Sequence, residues 1–349
     1  MSLRGAIAIL ALAVVAFALA ACAPPATPGV TVLRYASLYP PNHPFSRADQ
    51  VWMAYVAKES GGTLRVRPYW GGALVSAESA ELELRHGVAD VALVTPIYAR
   101  GGMQAVKTQT GFYVGARTIE EQVRVYRCLQ KTFPVLDQEL HGLRVLAVQG
   151  GLLPGILTRT RPVRTLDDLR GLRLRAPAET APVIAALGVD AVTMPMGETY
   201  SALSKGVIDG VVAPVDTLKA MHFSEVGHYY SQLMMYRGAY PARAISDQAW
   251  ARLTPAQQAV LARSTLVWEA ALAQEIKRGE AAGLAFGHQQ GVQFQPVSAA
   301  DQARFDELTR RSARADARRL APLGIDGEGM LDRAQAVIAA DNAGRPNGC

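Results

Sequence analysis

Two arginines on one short predicted strand are the residues whose type and spacing most clearly suggest chemistry. In the strand predicted at 172–177, Arg173 and Arg175 alternate with apolar residues, so a period of two places both guanidinium groups on one face. One interpretation is an edge strand whose arginines simply reach water. The other is that Arg175, which lies at the strand end just before a helix, binds an anion, because its planar fork matches a carboxylate with two parallel hydrogen bonds.

The elements around Arg175 predict how it is positioned. Short strands alternate with single helices over residues 166–214 and again over residues 32–95. This alternation is typical of parallel sheets, in which ligands bind beyond the carboxyl ends of the strands. Two such units predict an α/β fold of two lobes with the pocket between them.

A long helix is predicted to connect the two lobes. Thr254, Pro255 and Gln257 form a helix start with a capping box, and the helical pattern continues to about Gly287. About 30 residues at 1.5 Å each make a helix of about 45 Å, which is too long for one lobe of this size. A second long helix is predicted at 118–140.

Two segments together carry a family resemblance. LRGLRLRAP, followed by ALGVDAVTMPMGETYSALSKGVIDGVVAP, resembles the DctP-like solute-binding proteins of tripartite ATP-independent periplasmic (TRAP) transporters. The resemblance implies a two-lobe periplasmic-binding-protein-like fold that captures an organic acid, needs no cofactor and delivers the acid to the membrane permease subunits. It also implies that Arg175, the arginine of the R-x-P strand, binds the substrate carboxylate.

Further ligand contacts are implied by the same resemblance. Thr95 follows the third strand into the cleft, and Gln149 and Gly150 lie where the chain crosses between lobes. Many relatives carry an asparagine where this chain has Ala213, next to Val212. The missing amide favours a monocarboxylate with an apolar or aromatic body over a C4-dicarboxylate.

Three more side chains are candidates, and two of them have an alternative interpretation. Tyr236 flanks the return to the first lobe and is predicted to line the cleft. His43, in a proline-rich loop, either touches ligand or holds the turn by hydrogen bonds. Arg159 is either a second cation for the ligand or part of a solvated strand face.

The amino terminus predicts a lipoprotein. Residues 1–21 contain one early charge, Arg4, and an apolar run that is shorter than a membrane span, and they therefore read as a signal peptide. Small residues and a leucine precede Cys22 as in a bacterial lipobox, with an ordinary secreted protein as the alternative. We expect cleavage before a lipidated Cys22, a linker at 22–29, and a periplasmic domain anchored to a bacterial membrane.

The remaining chain is expected to divide between the lobes. Residues 30–152 with 243–280 are assigned to the N-terminal lobe, and 153–242 with 281–349 to the C-terminal lobe. Half of the residues are hydrophobic, which allows large cores. In an oxidising compartment Cys128 and Cys349 either pair or remain separate, Cys128 as a small buried residue.

Composition and motifs exclude other classes of function. The formal net charge is +6, but basic and acidic residues are interspersed, which disfavours nucleic-acid binding. No metal-ligand spacing, G-x-S-x-G motif or histidine with an orienting carboxylate indicates an enzyme. We therefore expect a TRAP-type solute receptor, and the alternative is a ligand-binding lipoprotein of another transporter class or one that feeds a sensor.

Overall fold

The first lobe is built on a five-stranded mixed sheet. The computed structural model describes residues 29–345 and 349, so the predicted signal peptide, Cys22 and most of the linker lie outside the described residues. The strand order is β2-β1-β3-β10-β4, and β10 runs antiparallel to both neighbours. The strands are β1 (Thr31–Ala36), β2 (Leu64–Tyr69), β3 (Val91–Leu93), β4 (Leu143–Gln149) and β10 (Tyr240–Ser246). The helices around them are α1 (Pro44–Glu59), α2 (Ala80–Arg85), α3 (Gln104–Thr108), α4 (Ile119–Thr132), α5 (Val135–Gln138) and α9 (Asp247–Ala251).

The second lobe contains a six-stranded mixed sheet. Its order is β11-β9-β5-β8-β6-β7, in which β8, β6 and β7 are parallel as the alternating pattern predicted. The strands are β5 (Gly155–Thr158), β6 (Arg173–Arg175), β7 (Asp190–Val192), β8 (Gly210–Ala213), β9 (Tyr229–Ser231) and β11 (Gln293–Gln295). The helices are α6 (Ala181–Ala185), α7 (Met196–Ser204) and α8 (Thr217–Ala220).

Three connections join the lobes before the carboxyl-terminal helices. The chain passes from β4 to β5 between Gln149 and Gly155, and it returns from β9 to β10 between Ser231 and Tyr240. The third connection is helix α10 (Pro255–Gln289), which packs on α1 and β4 of the first lobe and on α8 of the second. Its 35 residues correspond to about 52 Å. The predicted two-lobe fold with one long bridging helix is confirmed.

A buried charge pair organises the core of the first lobe. The indoles of Trp52 and Trp268 stack with ring centroids 3.8 Å apart, which joins α1 to α10. Between them and the sheet, Arg243 Nε donates to Asp49 Oδ1 at 3.0 Å, and both side chains are fully buried. Tyr35 Oη and Trp268 Nε1 also donate to the Asp49 carboxylate. These donors compensate for burial of the charges, which would otherwise cost several kcal/mol.

Two features differ from what the sequence pattern predicted. The helix predicted at 118–140 ends at Thr132, because Pro134 has no N–H to continue it, and a short separate helix follows. The carboxyl-terminal tail, which is predicted to lie wholly in the second lobe, forms α11 (Ala299–Arg318) and α12 (Gly327–Asn342). Helix α12 and the end of α11 pack in one apolar cluster with α4 and residues 99–140 of the first lobe.

The carboxyl terminus is covalently attached to α4. Cys128 and Cys349 form a disulfide, which decides between the two alternatives left open by the sequence. Arg124 on α4 also pairs with Asp341 on α12, with a nitrogen–oxygen distance of 2.9 Å. Within residues 29–345 and 349, no helix has the length and apolarity needed to cross a membrane.

Candidate functional site

Arg175 is a buried cation at the bottom of the cleft between the lobes. Only 1% of the residue is exposed to solvent. Its Nε donates to the backbone oxygen of Met194 at 3.0 Å, and Nη1 donates to that of Val212 at 3.3 Å. Its Nη2 donates to the hydroxyl of Tyr98 at 2.7 Å. Within the described chain, no carboxylate lies within ion-pair distance of this guanidinium.

The hydrogen-bond count leaves part of the Arg175 fork available. A guanidinium carries five N–H donors, and three are used by Met194, Val212 and Tyr98. One hydrogen remains on each terminal nitrogen, and these two are the donors that hold a carboxylate in bidentate fashion. Because a buried charge without a counterion is costly, the site favours an anionic ligand.

The cleft around Arg175 is a cavity lined by both lobes. The space between its lining side chains is about 660 Å³, part of which opens to solvent. Aromatic and aliphatic side chains form most of its wall, from the first lobe Tyr39, Phe45, Ile97, Tyr98 and Tyr240, and from the second lobe and its crossing Met196, Val212 and Tyr236. The Tyr98–Arg175 hydrogen bond connects the two sides.

A second arginine lines the same cleft. Arg237 lies in the segment that returns from β9 to β10, and its guanidinium is 5.9 Å from the ring centre of Tyr240. A Cβ at Gly151 would come within 2.7 Å of Arg237 Nη1 and 2.8 Å of its Cζ. The glycine therefore lets this guanidinium lie against the other interlobe crossing.

Two carboxyl groups line the same cleft as the arginines. Glu179 follows β6, and Asp216 follows β8. Asp216 is 3% exposed and its Oδ1 has no hydrogen-bond partner; Glu179 Oε2 is also buried without one. Burial raises the pKa of Asp216 to about 6 and also raises the pKa of Glu179, while the charge of Arg237 opposes both shifts.

His43 has a structural role that the sequence left open. Its Nδ1 accepts a hydrogen bond from the Phe45 N–H at 3.2 Å, so the ring caps the amino terminus of α1. The ring stacks on Tyr39 with centroids 4.1 Å apart and forms part of the cleft wall. Burial, with the charges of Arg47 and Arg243, lowers the pKa of His43 to about 3. The imidazole is therefore neutral at physiological pH.

The structure brings together five of the predicted ligand residues. Arg175, Thr95, Val212, Tyr236 and His43 line the cleft. Thr95 is 4% exposed, and its hydroxyl has no partner among the described residues. It therefore adds a polar atom to the first-lobe wall.

Four predicted residues lie outside the cleft wall. Gln149 donates to Tyr240 Oη at 3.0 Å and accepts from Arg243, so it supports a wall residue from behind. Gly150 packs tightly against α4, where a Cβ would lie 2.7 Å from Gln122 Oε1. Arg159 borders Gly206 at the far end of β5. The Ala213 carbonyl accepts from Tyr230 Oη at 3.0 Å.

Sequence reasoning missed Tyr98, Glu179, Asp216 and Arg237. The first three follow the carboxyl ends of β3, β6 and β8, so the rule that nominated Arg175 could have identified them. No local sequence pattern identifies Arg237, because its position depends on contact with Gly151, which is distant in sequence. Across the described part of the chain, no group of three or more His, Cys, Asp or Glu residues is placed to hold a metal ion.

Comparison with known sequences identifies one family. Residues 35–318 match the family described as DctP, bacterial extracellular solute-binding protein, family 7. A solute-binding protein of Roseobacter denitrificans is 30% identical over 160 residues, which are 42% of this chain and 47% of that protein. The chain spans about half the length of the first relatives that it matches.

Comparison with solved structures shows the same architecture. A TRAP solute-binding protein from Rhodoferax ferrireducens, in complex with copurified benzoate, has a TM-score of 0.83 and 22% identity, covering 90% of this chain and 99% of that one. A TRAP periplasmic solute-binding protein from Bordetella bronchiseptica with bound mandelate has a TM-score of 0.79 and 22% identity, covering 88% and 99%. At these identities the likeness concerns the fold.

Proposed function

We propose that this chain, which belongs to the DctP family of bacterial extracellular solute-binding proteins, is the periplasmic receptor of a TRAP transporter. It captures an organic acid by its carboxylate between the two lobes and delivers it to the membrane permease. The lobes act as a clamp whose closure excludes water, and the permease recognises the closed shape.

The unpaired Arg175 is the observation that carries this proposal. A guanidinium that is 1% exposed, with no carboxylate partner in the described chain, is stable only if an anion or water occupies the cleft beside it. Its two remaining N–H donors fit the two oxygens of one carboxylate. The hydrogen bonds to Met194 and Val212 hold the fork in place before the ligand arrives, which reduces the entropy lost on binding.

The cleft wall supports an acid with an aromatic or apolar body. Tyr39, Phe45 and Tyr98 provide aromatic surface near the carboxylate site, and Val212 and Met196 provide aliphatic surface. Proteins of the same fold bind benzoate and mandelate, which have a single carboxylate and an aromatic ring. We therefore assign a monocarboxylate with an aromatic or apolar body to this cleft, in preference to a C4-dicarboxylate.

Native mass spectrometry of the purified protein, followed by titration calorimetry, tests the function. We expect a copurifying acid, and binding of at least one aromatic monocarboxylate that is tighter than binding of succinate or malate. If no carboxylic acid of the panel binds while a neutral sugar or a cation does, the proposal is wrong. Uptake of the identified acid by membrane vesicles that contain the permease, with and without the receptor, tests the transport step.

We also propose that the mature protein is attached to the membrane through a lipidated Cys22. The support is the lipobox spacing of the leucine and small residues before this cysteine, which lies outside the described residues. Cys22→Ser, or globomycin treatment, is expected to move the protein from the membrane fraction to the soluble periplasmic fraction. Unchanged fractionation would instead indicate an ordinary secreted protein.

A further inference from the structure

Three polar atoms in the cleft wall lack partners and are not explained by carboxylate capture. They are Thr95 Oγ1, Glu179 Oε2 and Asp216 Oδ1, and all three are buried without a hydrogen-bond partner in the described chain. Buried polar groups are normally paired, and leaving one unpaired costs about 1–3 kcal/mol. Two of the three belong to carboxyl groups, which do not bind the carboxylate of a ligand.

Arg237 lines the same cleft as these carboxyl groups. It forms no ion pair with either carboxyl, although its charge acts on the pKa values of both Glu179 and Asp216. Its guanidinium lies against Gly151 and 5.9 Å from the ring centre of Tyr240. The cleft wall therefore contains, apart from Arg175, a half-buried donor group and two carboxyl oxygens that are buried without a hydrogen-bond partner.

We propose that Arg237, Glu179 and Asp216 form a second recognition subsite, which binds a hydroxyl group of the captured acid. This inference rests on the proposed function, since it takes the carboxylate of the ligand to be on Arg175. The favoured ligands are hydroxylated monocarboxylic acids, and the subsite distinguishes them from their unsubstituted parents.

The chemistry of the subsite decides among ligand groups. A hydroxyl both accepts from a guanidinium and donates to a carboxylate, so it satisfies both kinds of group at once. A second carboxylate on the ligand would be attracted by Arg237 but repelled by Glu179 and Asp216, because all three carboxylates are negatively charged. An ammonium would donate to the two carboxyl groups but would leave the donors of Arg237 unpaired. An apolar substituent would leave Arg237, Glu179 and Asp216 all unpaired. A site with unpaired polar groups discriminates strongly against a ligand that lacks the hydroxyl.

Matched acids test the subsite by calorimetry on the full mature domain. One series is phenylacetate, mandelate, phenylglycine and phenylmalonate, which differ only in hydrogen, hydroxyl, ammonium or carboxylate at one carbon. A second series carries hydrogen, hydroxyl or carboxylate at one ring position, namely benzoate, 3-hydroxybenzoate and isophthalate. We expect a hydroxylated member of at least one series to bind at least tenfold more tightly than its parent and than the charged analogues.

Substitutions then locate the effect. Asp216→Ala, Glu179→Ala and Arg237→Gln are each expected to reduce the ratio of hydroxylated to parent affinity to within threefold, and any variant that fails to fold is identified by its thermal melt. Glu198→Gln is the control, because Glu198 is an exposed carboxylate on α7 that does not line the cleft. This control should keep the wild-type ratio.

The outcomes separate this inference from the function on which it rests. If parent acids bind with dependence on Arg175 but hydroxylation gives no advantage, the subsite is refuted and carboxylate capture stands. A preference for phenylglycine would show that the carboxyl groups bind an ammonium, and a preference for isophthalate or phenylmalonate would show that Arg237 binds a second carboxylate. Either result overturns the hydroxyl assignment. If no acid binds at all, both proposals are wrong.

Discussion

At the scale of single residues, the two remaining N–H donors of Arg175 predict how much this residue contributes to the affinity for the acid. Charge-assisted hydrogen bonds contribute about 1.5–3 kcal/mol each, so loss of a bidentate pair in Arg175→Ala should weaken acid binding by about two or more orders of magnitude. Arg175→Lys should recover part of the affinity, because an ammonium retains the charge and loses the planar fork. Titration calorimetry against the best acid of the panel measures both effects.

Arg173 provides the matched control for this prediction. It lies on the same strand two residues away, but it is exposed and pairs with Asp190 at 3.4 Å. Arg173→Ala should leave the affinity for the acid unchanged. Wild-type affinity in Arg175→Ala, together with a lowered melting temperature, would show that Arg175 acts only in the fold.

His43 makes stability depend on pH. Its folded pKa of about 3 lies below its ordinary value, so the unfolded chain binds more protons and stability is lost as pH falls through about 6.5. Between pH 7 and pH 5 this loss amounts to about 2 kcal/mol. Asp216, with its raised pKa of about 6, acts in the opposite direction, because stability rises as it becomes protonated. The pH dependence of the free energy of unfolding therefore contains both contributions.

The variant His43→Asn isolates the histidine contribution. Asparagine is a good helix cap and does not titrate, so the variant should lose about 2 kcal/mol less than wild type between pH 7 and pH 5 in urea unfolding. His141→Asn is the control, because His141 is exposed. Identical pH profiles for wild type and His43→Asn would contradict the prediction.

Local sequence signals nominated Arg175 but not most of the cleft wall around it. Arg175 could be nominated because strand alternation and a strand end are local signals. Gln149 and Gly150 were placed on the correct crossing, but whether a side chain there faces the cleft or the core depends on packing against Gln122 and Arg243. These contacts join residues far apart in the chain, and a single sequence does not reveal them.

At the scale of elements, local signals predicted most strands and helices. The capping box at Thr254 marked the start of α10, and its observed end is within two residues of the predicted one. The pattern over 118–140 predicts one helix, but the helix ends at Thr132 because Pro134 has no N–H to continue it. The assignment of α12 to a lobe could not be derived, since it depends on which apolar face of α4 remains uncovered.

The disulfide between Cys128 and Cys349 should stabilise the packing of α12 on α4. It closes a loop with a sequence separation of 221 residues, and native disulfides contribute about 2–4 kcal/mol. Cys349→Ser should therefore lower the free energy of unfolding by about this amount in denaturant titrations. Reductant should destabilise wild type to the same level and have no further effect on the variant. Equal midpoints for wild type and variant would show that the apolar cluster alone holds the tail.

At the scale of the whole molecule, the bridging helix α10 is coupled to the ligand cleft by direct packing. Gly279, Gly283 and Gly287 follow one face of the helix at intervals of four residues. A Cβ at Gly283 would come within 2.6 Å of the Cα of Asp216 and still nearer to the Val215 carbonyl. The glycines thus allow the segment that carries Asp216 to lie directly on an uninterrupted helix.

This contact predicts an unusual outcome for Gly283→Ala. In an open helix position the change would stabilise by about 1 kcal/mol, but here the methyl group meets backbone, and overpacking costs about 1–3 kcal/mol. We expect a lower melting temperature together with weaker acid binding, because displacement of the segment moves Asp216 and Thr217 in the cleft wall. Gly197→Ala is the control, since Gly197 is exposed on α7 and a Cβ there meets nothing within 4 Å. If Gly283→Ala gains stability and keeps full affinity, the cleft is not coupled to the bridging helix through this contact.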